Sequence, residues 1–250
     1  MRPWRKSIEP GTRESVSSED GPGLERQSRR RPPTPLTGES PLTWWTGWDE
    51  RKGKAADPSA GAQFARSAPT DPSDGAHFEL LAVAARGFRP PKFLSAVHGG
   101  GKPGAGGGED PERPGLRQTW SLLYRPVAET APAQVAPFAI YLLGVDPPED
   151  ATEADLVVFN DFYTNVHLPE VAERRRALRA VRYELVDAVK PPYQGAPRFL
   201  AVYEVDEESA TNRRHTGPKY ASGPDVWQRH TTPWRLWYRR LDPAEVEDST

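Results

Sequence analysis

Residues 159–171 read FNDFYTNVHLPEV, and two further runs, RALRAVRYEL at 176–185 and APRFLAVYEV at 196–205, follow shortly after them. Apolar residues recur at helical intervals in the first stretch, whereas polar and apolar residues alternate in the two runs, as they do in half-buried strands. The pattern predicts a helix followed by two strands, at Leu178–Val186 and Phe199–Val205, with His167 at the junction just past the helix.

Working outward gives the rest of the fold. Phe138–Leu143 alternates and predicts a strand before the helix. Thr152 and Asp155 have capping-box spacing, which predicts where that helix begins. A less regular helix is expected within Glu207–Ala221, and Pro233–Leu241 predicts a closing strand. The order is βαββαβ, an α+β ferredoxin-like sandwich with helices on one face of an antiparallel sheet.

The region before this pattern differs in composition. Residues 1–130 hold 17 of the 21 glycines, and such segments carry little apolar surface to offset the entropy of ordering. We therefore expect a mostly disordered N-terminal region and linker over 1–130, one domain over 131–243 and a C-terminal tail over 244–250. Three apolar islands, at 41–48, 78–88 and 119–124, either dock on this domain or belong to an over-extended start of the chain.

Composition excludes several classes of function. The chain has no cysteine, which removes disulfides, thiolate catalysis and cysteine zinc sites. No apolar run approaches the roughly 18 residues of a membrane span, and the N-terminus lacks the apolar core of a signal peptide, so we expect a cytoplasmic protein without membrane contact. The charge balance predicts no nucleic-acid partner. The glycine cluster at 99–108 lacks P-loop spacing and is expected to be a flexible linker. His167, His215 and His230 have no ligand spacing and no dinucleotide fingerprint precedes a helix, so no metal or cofactor site is predicted.

A family resemblance rests on four segments: Asn160–Val171 (NDFYTNVHLPEV), Arg179–Leu185 (RAVRYEL), Pro197–Val205 (PRFLAVYEV) and Thr232–Leu241 (TPWRLWYRRL). Together they resemble the EthD-like branch of the dimeric α/β-barrel superfamily, over residues of about 135–243 only. The resemblance implies a homodimer in which two sheets face each other to form a barrel, with a pocket between sheet and helices in each protomer.

His167 is the leading candidate for chemistry, because an imidazole takes and returns a proton near neutral pH. Its alternative role is to cap the helix junction. Tyr183 is the predicted catalytic partner, since we place it with Tyr203 at equivalent positions of adjacent strands. The remaining candidates are expected to bind substrate, although each also fits a purely structural role: Tyr163, Tyr203, Asn160, His230 and Trp234.

The expected function is that of a cofactor-independent enzyme that moves a proton on a small, fairly apolar oxygenated metabolite. Isomerase, dehydratase, cyclase and monooxygenase chemistry all remain open, because the superfamily hosts several reactions. The alternative is a non-catalytic homodimer that binds a small ligand or acts as an accessory protein.

Overall fold

The structure is a computed structural model of the chain. It describes residues 32–36, 40–50, 52, 64–66, 91, 93–98, 116–192, 195–211 and 220–240. These residues form a mixed α+β fold with a curled antiparallel sheet and few helices, which confirms the predicted class at that level. The predictions for residues 1–31, for the linker at 99–108 and for the tail at 244–250 lie outside the described residues.

The sheet is antiparallel throughout. Its strands are β1 (Thr34–Pro35), β2 (Thr43–Glu50), β3 (Phe64–Arg66), β4 (Phe93–His98), β5 (Leu116–Glu129), β6 (Ala139–Asp146), β7 (Arg179–Lys190), β8 (Phe199–Val205) and β9 (Thr231–Arg240). Their spatial order is β1-β5-β2-β4-β3-β9-β6-β8-β7, and β7 also pairs with β5. Strands β2 to β9 therefore complete a circuit of pairings, with β1 attached to β5 outside it.

The circuit contains two groups of four strands. We call β2–β5 the N-terminal half of the sheet and β6–β9 the C-terminal half. Numbered along the chain, each half has the order fourth, first, third, second: β5-β2-β4-β3 and β9-β6-β8-β7. The halves join where β3 pairs with β9 and where β7 pairs with β5.

The inner face of the curled sheet holds one hydrophobic cluster. Successive side chains of a strand point to opposite faces, so alternate residues of both halves meet there. Each large apolar side chain that is fully buried stabilises the fold by about 1.5–3 kcal/mol. We call this set the inner cluster: Trp45, Leu94, Trp120, Leu122, Tyr124, Ile140, Leu142, Val181, Tyr183, Leu200, Val202, Trp234, Leu236 and Tyr238.

The helices lie between the strands of the C-terminal half. They are α1 (Glu153–Phe162), a π-helical turn (Tyr163–His167), α2 (Leu168–Arg174), α3 (Glu207–Thr211) and α4 (Asp225–Gln228). The capping box that begins α1 is confirmed, because the Thr152 hydroxyl accepts from the Asp155 amide while the Asp155 carboxylate accepts from the Thr152 amide.

Helical side chains and the other face of the C-terminal half form the helix-side cluster. Phe159 is fully buried there, with its ring stacked 5.7 Å from that of Phe199 on β8. Trp227 of α4 packs 5.1 Å from Phe159. This cluster fixes the helices on the sheet face opposite the inner cluster, and so determines where a pocket can open.

The predicted elements of the C-terminal half are largely confirmed. Strand β8 has the bounds that alternation predicts, and β6, β7 and β9 differ from prediction only near their ends. His167 lies at a junction, as expected, but the helix does not end before it: α1, the π-helical turn and α2 are consecutive, and His167 is the last residue of the π-helical turn. The helix expected within Glu207–Ala221 is seen only as α3, since 212–219 are not described.

The domain boundary expected at residue 131 cuts through the sheet. Trp45 of β2 and Trp120 of β5 are only 3% and 2% exposed, and both belong to the inner cluster. Glycine content misleads here because a few buried tryptophans contribute much core area while adding little to composition. The prediction of disorder is therefore wrong for the described strands between residues 43 and 129.

Candidate functional site

A cavity of about 230 Å³ opens between the outer face of the C-terminal half and its helices. Strands β6 and β9 supply its floor, whereas the π-helical turn, α2, α4 and the segment before α4 supply its walls. The lining residues are mainly aromatic, aliphatic or basic: Tyr141, Leu143, Val145, His167, Val171, Arg175, Tyr220, Ala221, Trp227, His230, Thr232 and Arg235.

His167 lies at the centre of an aromatic group in this cavity. Its ring is 4.6 Å from that of Trp227 and 5.4 Å from that of Tyr220. Its Nδ1 atom is buried and has no hydrogen-bond partner among the described residues. Burial, then the charges of His230 and Arg235, lower the pKa of His167 to about 4. π-Helical turns occur often at functional sites, where they redirect a side chain out of the regular helical pattern.

His230 precedes β9 and also lines the cavity. Its Nδ1 contacts the carbonyl oxygen of Trp227, so Nδ1 carries the proton and Nε2 keeps its lone pair. The imidazole stacks on the Trp227 ring at 4.3 Å. Burial lowers the pKa of His230; the backbone contact partly opposes this, and the Arg235 charge lowers the pKa by a smaller amount. Both histidines of the cavity are therefore neutral near pH 7.

Two arginines bring positive charge to the cavity. The Arg175 guanidinium, at the end of α2, lies 3.9 Å above the ring of Tyr141 on β6. Arg235 extends from β9, and its buried Nε has no hydrogen-bond partner among the described residues. Neither arginine was among the site residues predicted from the sequence. The detectable signal for Arg235 was its place on the face of β9 opposite Trp234 and Leu236.

Two predicted tyrosines lie next to the cavity without lining it. Tyr163 and Tyr203 are fully buried in the helix-side cluster, and their hydroxyls have no hydrogen-bond partner among the described residues. Burial raises the pKa of both phenols. The Tyr163 ring is 5.9 Å from that of His167, while Tyr203 is 5.9 Å from the cavity residue Tyr141.

Asn160 has a structural partner. Its Oδ1 accepts a short hydrogen bond from Arg182 of β7, and the same guanidinium donates to the Thr164 hydroxyl at 2.8 Å. Arg182 is 3% exposed and lies over the Tyr163 ring. Burial lowers its pKa to about 10, so it remains charged near neutral pH. Asn160 thus helps to satisfy a buried guanidinium and does not line the cavity.

Two predicted site residues face away from the cavity. Tyr183 and Trp234 belong to the inner cluster, on the opposite face of the sheet from His167. Ala180 pairs with Tyr203, so the even-numbered residues of β7 share a face with the odd-numbered residues of β8. The interpretation that placed Tyr183 and Tyr203 on one layer is therefore wrong, because equivalent positions within two runs do not reveal their register.

Within the described residues, no three His, Cys, Asp or Glu side chains come close enough together to hold a metal ion. Over the same residues, no helix is long and apolar enough to cross a membrane.

No protein-family model, curated protein or solved structure matches the chain. The chemistry that the site can perform therefore has to be judged from its own residues: two neutral imidazoles, two guanidinium groups and aromatic walls.

Proposed function

We propose that the chain is a cofactor-independent enzyme that binds a small, fairly apolar oxygenated compound in this cavity and transfers a proton on it through His167. The observation that carries the proposal is the buried Nδ1 of His167, which has no hydrogen-bond partner among the described residues although it borders a cavity. A buried polar atom left without a partner costs about 1–3 kcal/mol, and a ligand oxygen in the cavity would remove this cost.

The surroundings of His167 favour proton transfer over a merely structural role. Rings on two sides hold the imidazole in place, and positioned acids or bases need such fixed geometry. His230, with its unprotonated Nε2, is a second neutral imidazole in the same cavity. His167 can take a proton from a carbon next to a carbonyl group and, as the imidazolium, return that proton to another atom of the same compound. Isomerisation, dehydration and cyclisation share this step.

The test measures carbon-bound proton exchange. Purified full-length protein is mixed in D₂O with a panel of cyclic 1,3-diketones, unsaturated lactones and phenols, and deuterium incorporation is followed by proton NMR. We expect wild-type protein to accelerate exchange for at least one compound. The His167→Asn variant should lose about two to four orders of magnitude in rate, the usual contribution of a positioned acid or base.

His98→Asn is the matched control, because His98 is exposed on β4 and does not line the cavity. It should keep the wild-type exchange rate. The proposal is contradicted if wild-type protein leaves the whole panel unexchanged, or if His167→Asn retains the wild-type rate while folded.

A second function has an observation in its favour. A histidine whose pKa is lowered to about 4 is a weak base near neutral pH, which suits a site that only binds its ligand. A non-catalytic binding protein would show saturable binding of a panel compound with no exchange. Its His167→Asn variant would change affinity alone.

We also propose that the C-terminal half and its helices form a ferredoxin-like unit of the EthD-like kind. The chain order β6, α1 to α2, β7, β8, α3 to α4, β9 and the spatial order β9-β6-β8-β7 support this. The homodimer implied by the family would bury the inner face of this unit. Strands of the N-terminal half occupy that face here, which favours the pairing of two halves within one chain over a homodimer.

A further inference from the structure

We propose that the ligand of the cavity is a small organic anion, a carboxylate or enolate joined to a flat apolar group, and that Arg235 binds its charged oxygen. This inference deepens the proposed function, since it names the compound class for the same cavity. It rests on the balance of charge in the cavity and on its size and shape.

The charge of the cavity is unbalanced. Arg175 and Arg235 are among its lining residues, and no aspartate or glutamate is among those that the structure describes. The buried Nε of Arg235 also has no hydrogen-bond partner within the described residues. Burying an N–H group of a guanidinium without a hydrogen-bond partner is costly, and an anionic ligand would offset that cost. Arginine suits this role because its planar fork can hold two carboxylate oxygens at once.

The Arg235 charge also acts on the two histidines. It contributes to the lowered pKa of His167 and of His230, so the guanidinium lies close enough to act on both imidazoles. A bound oxyanion would oppose this effect and raise the pKa of His167 toward its usual value. The ligand would thereby make His167 a stronger base at the moment when a base is needed.

The walls select a small, flat ligand. Tyr141 and Trp227 present rings to the cavity, and Val171 adds an aliphatic contact. The volume of about 230 Å³ lies below the roughly 300–1,000 Å³ of pockets that hold drug-sized ligands. The size favours a compound with a single ring, and the apolar walls disfavour a highly charged ligand such as a nucleotide.

The test compares benzoate with benzamide, its uncharged counterpart of nearly the same shape, by calorimetric titration of the full-length protein. We expect benzoate to bind about 10- to 100-fold more tightly, the range for a hydrogen bond to a charged group. Inorganic phosphate is the third probe and should not compete with benzoate. Equal affinity for the first two probes, no binding of either, or displacement by phosphate at matched concentration overturns the proposal.

Variants locate the charge preference. Arg235→Gln should abolish the preference for benzoate, whereas Arg235→Lys, which keeps the charge, should retain part of it. Arg239→Gln is the matched control, since Arg239 lies on the same strand and does not line the cavity. A folded Arg235→Gln variant with an unchanged preference overturns the assignment. The His167→Asn variant should still prefer benzoate. Wild-type protein that prefers benzoate but exchanges no proton on any panel compound refutes catalysis and leaves the anion site standing.

A different observation carries a second inference: the two halves of the sheet repeat each other in sequence. TWSLLY in β5 and PWRLWY in β9 both contain Trp-x-Leu-x-Tyr, at 120–124 and at 234–238. All six of these residues belong to the inner cluster. The segments before and within β4 and β8 likewise read PKFL at 91–94 and PRFL at 197–200.

The repeated residues make repeated contacts. The Tyr124 hydroxyl of one half donates to the Pro197 carbonyl of the other at 2.8 Å, and the Tyr238 hydroxyl donates to the Pro91 carbonyl at 2.9 Å. Trp120 and Trp234 meet each other, with ring centroids 5.4 Å apart. Reciprocal contacts with a self-contact between them are the pattern of an interface related by a two-fold axis.

Each half also has a glycine beneath its tryptophan. A Cβ on Gly47 would come within 2.6 Å of the Trp120 ring, and one on Gly144 would come within 3.0 Å of the Trp234 Cβ. These same hypothetical atoms would lie 2.8 Å and 2.7 Å from Pro91 and Pro197. Both glycines are thus required by the same close packing.

We infer that the chain is a fused duplicate, in which the N-terminal half takes the place that a second copy would hold in a homodimer. Pairings of β3 with β9 and of β5 with β7 close the sheet within one chain. The N-terminal half lacks the anion-binding arginine of the C-terminal half, because aligning Trp120 with Trp234 puts Ser121 at the position of Arg235. One ligand should therefore bind per chain.

Engineered disulfide formation tests the fusion. The chain has no cysteine, so Arg125→Cys with Glu184→Cys introduces the only possible bridge. These residues are direct partners of β5 and β7, and antiparallel partners lie about 4.5–5.5 Å apart at Cα, within disulfide range. We expect oxidation to give a cross-link within single chains. A cross-linked species of twice the mass, or no cross-link in a folded variant, overturns the inference, and the single variants are the controls.

Discussion

The two halves of the sheet share an inner face and differ on the outer one. Inside, Trp120 and Trp234 occupy matching places and contact each other. Outside, β6 presents Tyr141 to the cavity, whereas β2 buries Trp48, whose indole donates to the Ser95 hydroxyl at 3.1 Å. The inner face is constrained by the packing of one half on the other, and the outer faces are free to diverge.

The chain connections explain why the cavity belongs to one half. Residues 147–178 join β6 to β7 and contain α1, the π-helical turn and α2. This connection places His167 over the sheet. Residues 51–63 join β2 to β3 and contain no histidine. A shared scaffold with one elaborated connection concentrates the candidate chemistry on one side, as expected when function depends on loops placed on a rigid frame.

The largest effect is expected from separating the halves. A fragment of residues 131–250 would expose the inner-cluster side chains of β6, β7, β8 and β9 to water. We expect it to pair with a second copy through this face or to aggregate, because an apolar surface of this kind does not stay solvated. Light scattering after size-exclusion chromatography checks this. A monomeric fragment with cooperative unfolding would show that the halves are independent.

Substituting alanine for either of the two matched tryptophans should lower the free energy of unfolding by a similar amount. Trp120→Ala and Trp234→Ala each remove a ring that is 2% exposed, and such substitutions typically destabilise by about 3–5 kcal/mol. Urea denaturation of the two variants measures the loss in free energy of unfolding. If one variant loses several-fold more stability than the other, the equivalence of the two inner faces fails.

The outer face of the C-terminal half should give stability a distinctive pH dependence. The pKa of His167 is lowered to about 4 in the folded state, below its usual value of 6.5, so the unfolded chain binds more protons between these values. Stability therefore rises with pH across this window and falls as the pH drops from about 6.5 to about 4. Each pKa unit corresponds to about 1.4 kcal/mol, so the shift of His167 sets an upper bound of about 3.5 kcal/mol on this contribution.

Urea denaturation at several pH values, on wild type and His167→Asn, measures this effect. The Asn variant should have a flatter profile over this window, although His230 contributes in the same direction. His98→Asn serves as the comparison from the N-terminal half; burial, then the Arg179 charge, also lower the pKa of His98, so this variant should flatten the profile by a smaller amount. Identical profiles for wild type and His167→Asn would mean that the imidazole is not desolvated by the cavity.

The smallest effect is expected at the start of α1. Thr152→Ala removes the hydroxyl that accepts from the Asp155 amide, and loss of such a cap costs about 0.5–2 kcal/mol. Thermal unfolding measures this loss. The substitution lies outside the cavity and should leave benzoate affinity unchanged. A changed affinity would mean that the helical connection and the cavity are more tightly coupled than the contacts indicate.

Local pattern predicted the C-terminal elements well. Alternation located β8 to the residue, and capping chemistry located the start of α1, because both depend on near neighbours in the chain. The apolar islands at 41–48 and 119–124 were noted only as segments that either dock or belong to an over-extended start, since they are short and separated by glycine-rich segments. Comparing TWSLLY with PWRLWY would have revealed them as strands, but that signal is a repeat at long distance and not a local period.

The candidate site was only partly predictable. His167 and His230 were found by residue type and place in the chain, whereas Tyr141, Arg175, Trp227 and Arg235 are brought to the cavity by the sheet and helices together. Tyr183 was assigned to the wrong layer for the same reason. Which residues of two strands share a face depends on their pairing, and the pairing of β7 with β8 cannot be read from either run alone.

By itself, the sequence determined the elements of the C-terminal half, the absence of cysteine chemistry and the identity of the leading histidine. These follow from composition and from periods of two and 3.6 residues, which act over short stretches of chain. Only the tertiary structure decided that the N-terminal strands close the sheet, which side chains share the cavity with His167, and how far burial lowers the pKa of His167. Each of these depends on contacts between residues far apart in sequence.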